Sequence, residues 1–168
     1  MFSLVLLAIA FLPMIVEAGI AARHDRVLRA RGAVEPAGDV YRIMQVAYPA
    51  AFLAMVLEGW AGGGRPGGLT NLGALLFVAA KLLKYWAVGT LGDRWTFRVL
   101  VPPGSSRILT GPYRLIRHPN YVAVAGELAG FALLAGAPTA GGVSVILFSF
   151  LILRRIHIEE RALGLGPE

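Results

Sequence analysis

The residue types best suited to chemistry fall in two short polar stretches of an otherwise apolar chain. Residues 111–121, GPYRLIRHPNY, set Arg114, Arg117 and His118 beside Pro112 and Pro119, between strongly apolar runs. Residues 154–160, RRIHIEE, form the second stretch. If a helix runs through it, Arg155 and Glu159 stand four apart on one face, with Glu160 turned about 100° from Glu159. A cation and carboxylates so placed can bind a zwitterionic ligand, the arginine taking a carboxylate and a glutamate taking an ammonium or a ribose hydroxyl. The plainer alternative is a surface ion pair at a helix end, worth about 0–1 kcal/mol. His118 precedes a proline and is therefore held extended just before a helix. There it can stack on or hydrogen-bond a ligand, or simply cap local backbone. Tyr113 and Tyr121 can line an aromatic wall or anchor a membrane interface.

The elements that position these residues are set by composition. Of 168 residues, 57% are hydrophobic and only 15% charged, with a mean hydropathy of +0.66. Soluble domains carry about a quarter charged residues, so the chain reads as an all-α integral membrane protein forming one domain over residues 1–168. The absence of cysteine excludes disulfides, thiolate metal sites and cysteine nucleophiles. His24, His118 and His157 share no metal-ligand spacing, so no metal is expected.

Hydropathy predicts five spans, three of them within residues 1–90. Residues 1–22 form the first; with no Lys or Arg ahead of the apolar run, they read as a retained helix and not as a signal peptide. Pro13 is expected to kink it and Glu17 to face other helices. Residues 23–42 read as a loop or a short interfacial helix ending near Gly32 and Pro36. Residues 43–60 give the second span, 61–68 a turn, and 69–88 the third, with Lys81 and Lys84 expected to snorkel to an interface. Residues 90–118 are a long polar connection too rich in bulky residues to be disordered. The fourth span is 119–137, with Pro119 in its first turn and a Gly126-x-x-x-Gly130 spacing that admits a close neighbour. Residues 137–142 read as a turn and 143–153 as a fifth, shorter span. Glu127 lies about 12 Å into the fourth span at the helical rise. It is either a packing contact or, being costly to bury, a candidate base for a phenol.

Of the 16 Lys and Arg residues, all but Arg65 fall on one side when the N-terminus is placed outside. That asymmetry predicts a cytoplasmic location for the 90–118 loop and the end of the fifth helix. It also accounts for the net charge of +6 through membrane orientation, which argues against a nucleic-acid partner.

GPYRLIRHPNY, an apolar hairpin and then RRIHIEERAL together closely resemble the C-terminal half of the isoprenylcysteine carboxyl methyltransferase family, whose wider relatives include phospholipid N-methyltransferases. The upstream LGDRWTFRVLVPPGSSRILT and RHDRVLRARGAVE resemble a bacterial branch of it. The resemblance implies S-adenosylmethionine bound without a Rossmann domain, in a cytoplasmic pocket formed by the loop before helix 4 and the end of helix 5. Residues 91–168 would then be the catalytic half, within a bacterial cytoplasmic membrane. By family pattern, Arg107, Ile108, Tyr113, His118, Pro119, Asn120, Tyr121, Glu159 and Glu160 are the expected cofactor contacts, and Arg155 orients the acceptor, with Glu159 beside it. Methyl transfer from a sulfonium needs an aligned nucleophile, a desolvated pocket and charge complementarity. The implied acceptor is a small lipophilic molecule methylated on a carboxylate or hydroxyl oxygen. The chain is shorter than enzymes acting on prenylated proteins, and this branch looks like enzymes that O-methylate phenolic lipids or alkylpyrones. A lipid amine acceptor and a catalytically silent scaffold of the same fold are the alternatives.

Overall fold

The computed structural model describes residues 1–63, 66–105 and 107–164. Arg65, and the closing Gly166 and Pro167, lie outside the described residues. Among the described residues five α-helices follow one another: α1 Phe2–Ala30, α2 Tyr41–Ala61, α3 Thr70–Leu91, α4 Pro119–Ala135 and α5 Pro138–Ala162. α1, α2, α3 and α5 are long and apolar enough to cross a membrane. α4 is shorter, 17 residues or about 26 Å at the helical rise. Among the described residues there is no strand, only an isolated antiparallel bridge between Val34 and Val101.

Two boundaries differ from the sequence expectation. α1 continues through the arginine-rich segment to Ala30, because residues 23–30 are mostly good helix formers and Arg29 pairs with Asp25 one turn back at 3.6 Å. α5 begins at Pro138, so the turn before it shrinks to Gly136 and Ala137 and α5 becomes a 25-residue helix. Pro138 suits a first helical turn. The free backbone N–H groups of Thr139 and Ala140 donate to the two carboxylate oxygens of Glu58 on α2, at 3.0 and 2.6 Å. A neighbouring helix thus supplies the cap.

α4 is the buried centre of the bundle, and its largest interface is with α3. The glycine spacing on α4 serves that contact. A Cβ on Gly130 would come within 2.9 Å of Phe77 Cα, and one on Gly126 within 3.0 Å of Ala80 Cβ. Small residues here let the two backbones approach. Tyr48, Phe52, Phe77, Phe131 and Phe148 pack edge to face or tilted in the core, with centroids 4.8–6.4 Å apart. The outer faces are the reverse of a soluble protein's: Leu4, Leu12, Ile15, Leu75, Ile146 and Phe150 are all exposed, as lipid contact requires.

Lys81 and Lys84 do not snorkel. Both turn into the bundle and are buried, because Glu17 of α1 and Glu127 of α4 face them. Lys81 Nζ lies 2.9 Å from Glu17 Oε1, and Lys84 Nζ lies 2.6 Å from Glu17 Oε2. Glu17 thus faces other helices, as its position within an apolar span demands.

Candidate functional site

At one end of the bundle the last turns of α1, α3 and α5 meet the first turns of α2 and α4, and the 92–118 connection folds across them. Short 3-10 turns at Gly92–Arg94 and Gly111–Arg114 shape that connection. α1 clasps it. Glu35 accepts from Arg29 at 2.6 Å and from Arg98 at 2.9 Å, Arg31 pairs with Asp93 at 3.0 Å, and Arg98 stacks 4.4 Å from the Tyr41 ring centroid. Partial burial alone would raise the Glu35 carboxyl, but the hydrogen bonds and charges of the two arginines outweigh it and hold the group below the ordinary glutamate range.

Beneath this connection lies a cavity of about 760 Å³. It is lined by Arg107, Ile108, Tyr113, His118, Asn120, Tyr121, Arg155, Glu159 and Glu160, brought together from the loop, α4 and α5. Pro119 lies beside them as the first residue of α4, fully buried, and it fixes the backbone from which His118 and Asn120 project. His118 is the N-cap residue, with φ −131 and ψ 66.

α5 extends beyond its apolar part, and that extension sorts the polar side chains by azimuth. Arg155 and Glu159, one turn apart, meet at a single atom: the Tyr121 hydroxyl accepts from Arg155 Nε at 3.1 Å and donates to Glu159 Oε2 at 2.7 Å. Glu160 points elsewhere, with its Oε1 3.1 Å from His118 Nε2 and 3.5 Å from Arg117 Nη1. The His118 and Tyr121 rings lie 5.6 Å apart at 32°. Arg155 is only 6% exposed. Its Nη2 donates to the Phe97 carbonyl, while its Nη1 has only long contacts, 3.8 Å to Met44 Sδ and 3.9 Å to Asp39 Oδ1. A guanidinium with its Nε and Nη2 held closely and its Nη1 held only by the long Met44 and Asp39 contacts is oriented so that an oxygen ligand can engage its Nη1 side. Tyr113 is pushed above the ordinary phenol range by burial, with Glu159 adding to it, so it enters as a neutral ring and hydroxyl.

Several residues of this site come from outside the two stretches that the sequence singles out. Asp39, just before α2, receives Tyr41 N at 3.2 Å and Val99 N at 3.0 Å, tying the connection to the bundle beside Arg155. Trp95 donates from Nε1 to Asn120 Oδ1 at 3.4 Å and accepts from His24 Nδ1 at its carbonyl, 2.8 Å away. Asp39 two residues ahead of a helix was the one readable signal, as a side chain that satisfies free N–H groups.

Glu127 is set apart. It is fully buried, its Oε2 lies 3.3 Å from Lys81 Nζ and 3.4 Å from Lys84 Nζ, and it accepts from the Tyr48 hydroxyl. It does not line the cavity, whereas Tyr48, Lys84 and Glu17 do.

The lining mixes charged groups of the connection and α5 with apolar side chains such as Phe11, Met14, Ile15 and Phe148, and it also includes Glu17 and Lys84. An all-helical bundle with four helices long and apolar enough to cross a membrane is a multi-pass membrane protein. Residues 73–164 match the family model described as the isoprenylcysteine carboxyl methyltransferase (ICMT) family, and the chain belongs to that family, whose activity is methyl transfer in membranes. It is 27% identical to YpbQ, an uncharacterized protein of Bacillus subtilis (strain 168), over 94% of each chain. It is also 23% identical to an uncharacterized protein of Haemophilus influenzae (strain ATCC 51907 / DSM 11121 / KW20 / Rd), over 86% of this chain and 85% of the other. No solved structure matches it.

Proposed function

We propose that the protein transfers a methyl group from S-adenosylmethionine to an oxygen of a small lipophilic acceptor held within the bilayer. The observation that carries this reading is the cavity of about 760 Å³ lined by both charged and apolar side chains, with Arg155 among them. The donor set suits the cofactor. Glu159 and Glu160 offer carboxylate oxygens for ammonium or ribose hydroxyl groups, Arg107 and Arg117 offer cations for a carboxylate, and Tyr113, His118 and Tyr121 offer ring faces for a base. Two buried polar atoms on cavity-lining residues, Ser105 Oγ and Asp25 Oδ1, have no hydrogen-bond partner among the described residues, as a site built for further hydrogen bonds would leave them.

When bound, S-adenosylmethionine supplies an electrophilic methyl carbon on a sulfonium. The protein's own residues orient and exclude water. His118, Asn120 and Tyr121 are fixed by the start of α4, with Pro119 setting the backbone between them, and Arg107 and Ile108 close the site from the connection. Arg155 holds the acceptor oxygen through its Nη1 side, with Glu159 fixed beside it by Tyr121. Alignment of two reactants in a dry pocket is the largest contribution such a site can make. The clustering of arginines at this end of the bundle supports a cytoplasmic orientation in a bacterial cytoplasmic membrane. A labelled-methyl transfer assay against a bacterial lipid extract, followed by identification of the product, tests the reading. Label in an oxygen ether or ester of a lipophilic product is expected; label in an amine contradicts the assignment to oxygen.

A further inference from the structure

A second, smaller cavity of about 350 Å³ adjoins the first at the same end of the bundle, within the size range of small-molecule pockets. Val34, Pro36 and the 101–105 segment wall one side of it, and Ala162 and Leu163 the other. Val101, Pro102, Ser105 and Leu163 also line the main cavity, so these side chains form a wall common to both. Around the smaller cavity Val34, Pro103 and Gly104 are exposed. It therefore faces water, and the main cavity lies behind it.

The two sides of that wall are held differently. Ser105 N donates to the Pro102 carbonyl at 3.1 Å and closes a turn with Pro103 and Gly104 at its centre. Gly104 has φ +69, and proline followed by such a glycine is what a type II turn requires. Val101 and Val34 exchange two backbone hydrogen bonds of 3.0 Å, which brace the turn against the segment after α1. The end of α5 is tied elsewhere, Glu159 to Tyr121 and Glu160 to His118 and Arg117. Among the described residues no hydrogen bond or ion pair joins residues 101–105 to residues 161–164. The seam between them is thus the least secured part of the wall. Leu163 is the C-cap of α5, and helix ends open at little free-energy cost.

We propose that the smaller cavity is the entrance through which S-adenosylmethionine passes from water to the main cavity, and that Leu163, moving against the fixed 102–105 turn, is its gate; this rests on the methyl-transfer reading above. A soluble cofactor needs a path that avoids the lipid-facing sides of the bundle, and this cavity supplies one at the polar end. None of the described residues lining it is charged. It therefore holds a zwitterion weakly, which suits passage, whereas the carboxylates and arginines beyond the wall suit residence. Its proline and aliphatic side chains offer apolar contact to a purine ring. Ser105 Oγ, buried and without a hydrogen-bond partner among the described residues, stands on the shared wall and offers a hydrogen bond to a polar group crossing it. The product that has lost its methyl group leaves by the same path.

The chain has no cysteine, so Leu163→Cys in the full chain gives a single thiol to modify. Association and dissociation of tritiated S-adenosylmethionine are measured in detergent by rapid filtration, before and after that thiol reacts with a bulky maleimide. The adduct should slow both rates roughly tenfold or more while their ratio, Kd, stays unchanged, and cofactor loaded before the reaction should stay trapped. Leu163→Ala should speed both. The same adduct on Leu115→Cys, at an exposed position two residues before Arg117, should change neither rate. Unchanged rates with the adduct at residue 163 would overturn the gate. So would faster dissociation at an unchanged association rate, which would make Leu163 a binding contact. Slowing by the adduct at residue 115 alone would move the entrance to the Arg117 side and overturn it as well. Failure of the folded, unmodified protein to bind S-adenosylmethionine at all would instead sink the methyl-transfer reading.

Discussion

Tyr121 and Glu159, on different helices, are joined by a 2.7 Å hydrogen bond from the phenol hydroxyl to the carboxylate, and the same hydroxyl accepts from Arg155 at 3.1 Å. One oxygen atom thus holds both the proposed cofactor-binding carboxylate and the proposed acceptor-binding guanidinium. Removing it in Tyr121→Phe frees both. Hydrogen bonds to charged groups contribute about 1.5–3 kcal/mol, so affinity for S-adenosylmethionine should fall roughly tenfold or more, with turnover falling further. Calorimetry alongside a transfer assay reads both; a variant with a lower melting temperature but wild-type affinity and turnover would contradict the assignment.

The buried ion cluster makes a stability prediction independent of activity. Lys84→Met strips Glu17 of its 2.6 Å partner and leaves two buried carboxylates sharing Lys81, an uncompensated buried charge that costs up to about 3–5 kcal/mol. Combining it with Glu17→Leu removes one charge of each sign and should restore most of the loss. Thermal unfolding of the three variants in detergent, compared with wild type, measures it; additive losses would show that the pair is not coupled.

Packing between α3 and α4 depends on absent side chains. Gly130→Val would push a branched side chain into the α3 backbone, where even a Cβ comes within 2.9 Å of Phe77 Cα. A cost of at least about 1–3 kcal/mol is expected, visible as a lower melting temperature and increased proteolysis of the loop between these helices. Gly142→Ala, where nothing lies within 4 Å of an added Cβ, should leave both unchanged.

The clasp of the 92–118 connection should be sensitive to acid. Glu35 titrates below its ordinary range in the folded chain, so its contribution is present above the unfolded glutamate value of about 4.3 and is lost as pH falls through the lower folded value. Hydrogen exchange in residues 92–105 should therefore rise relative to the rest of the chain below about pH 4, and Glu35→Gln should show the raised exchange already at neutral pH. Equal protection in wild type and Glu35→Gln at neutral pH would show that the clasp does not hold the loop.

Local features of the sequence carried much of this. Proline at the head of α4, apolar runs of spanning length and the four-residue step from Arg155 to Glu159 are readable without coordinates, because helical geometry alone fixes what they do. The turn before α5 was misread because the cap for that helix is Glu58, far away in sequence. Lys81 and Lys84 looked like interfacial lysines, since nothing local shows that Glu17 and Glu127 face them from other helices. The same limit hid Asp39, Trp95 and Tyr48, whose roles depend on pairings across the bundle. At the arginine-rich end of α1, polarity left a loop or a short interfacial helix open, and helix propensity with an Asp25–Arg29 pair instead extends α1 itself to Ala30.

The central claim is that one cavity holds a methyl donor and a lipophilic acceptor with Arg155 serving the second. The most direct measurement is calorimetry of S-adenosylmethionine binding to wild type and Arg155→Ala in detergent, paired with methyl transfer by the same samples. Saturable binding to both is predicted, with turnover by Arg155→Ala reduced roughly 100-fold by lost alignment. Absence of binding to folded wild-type protein, or full turnover by Arg155→Ala, would contradict it.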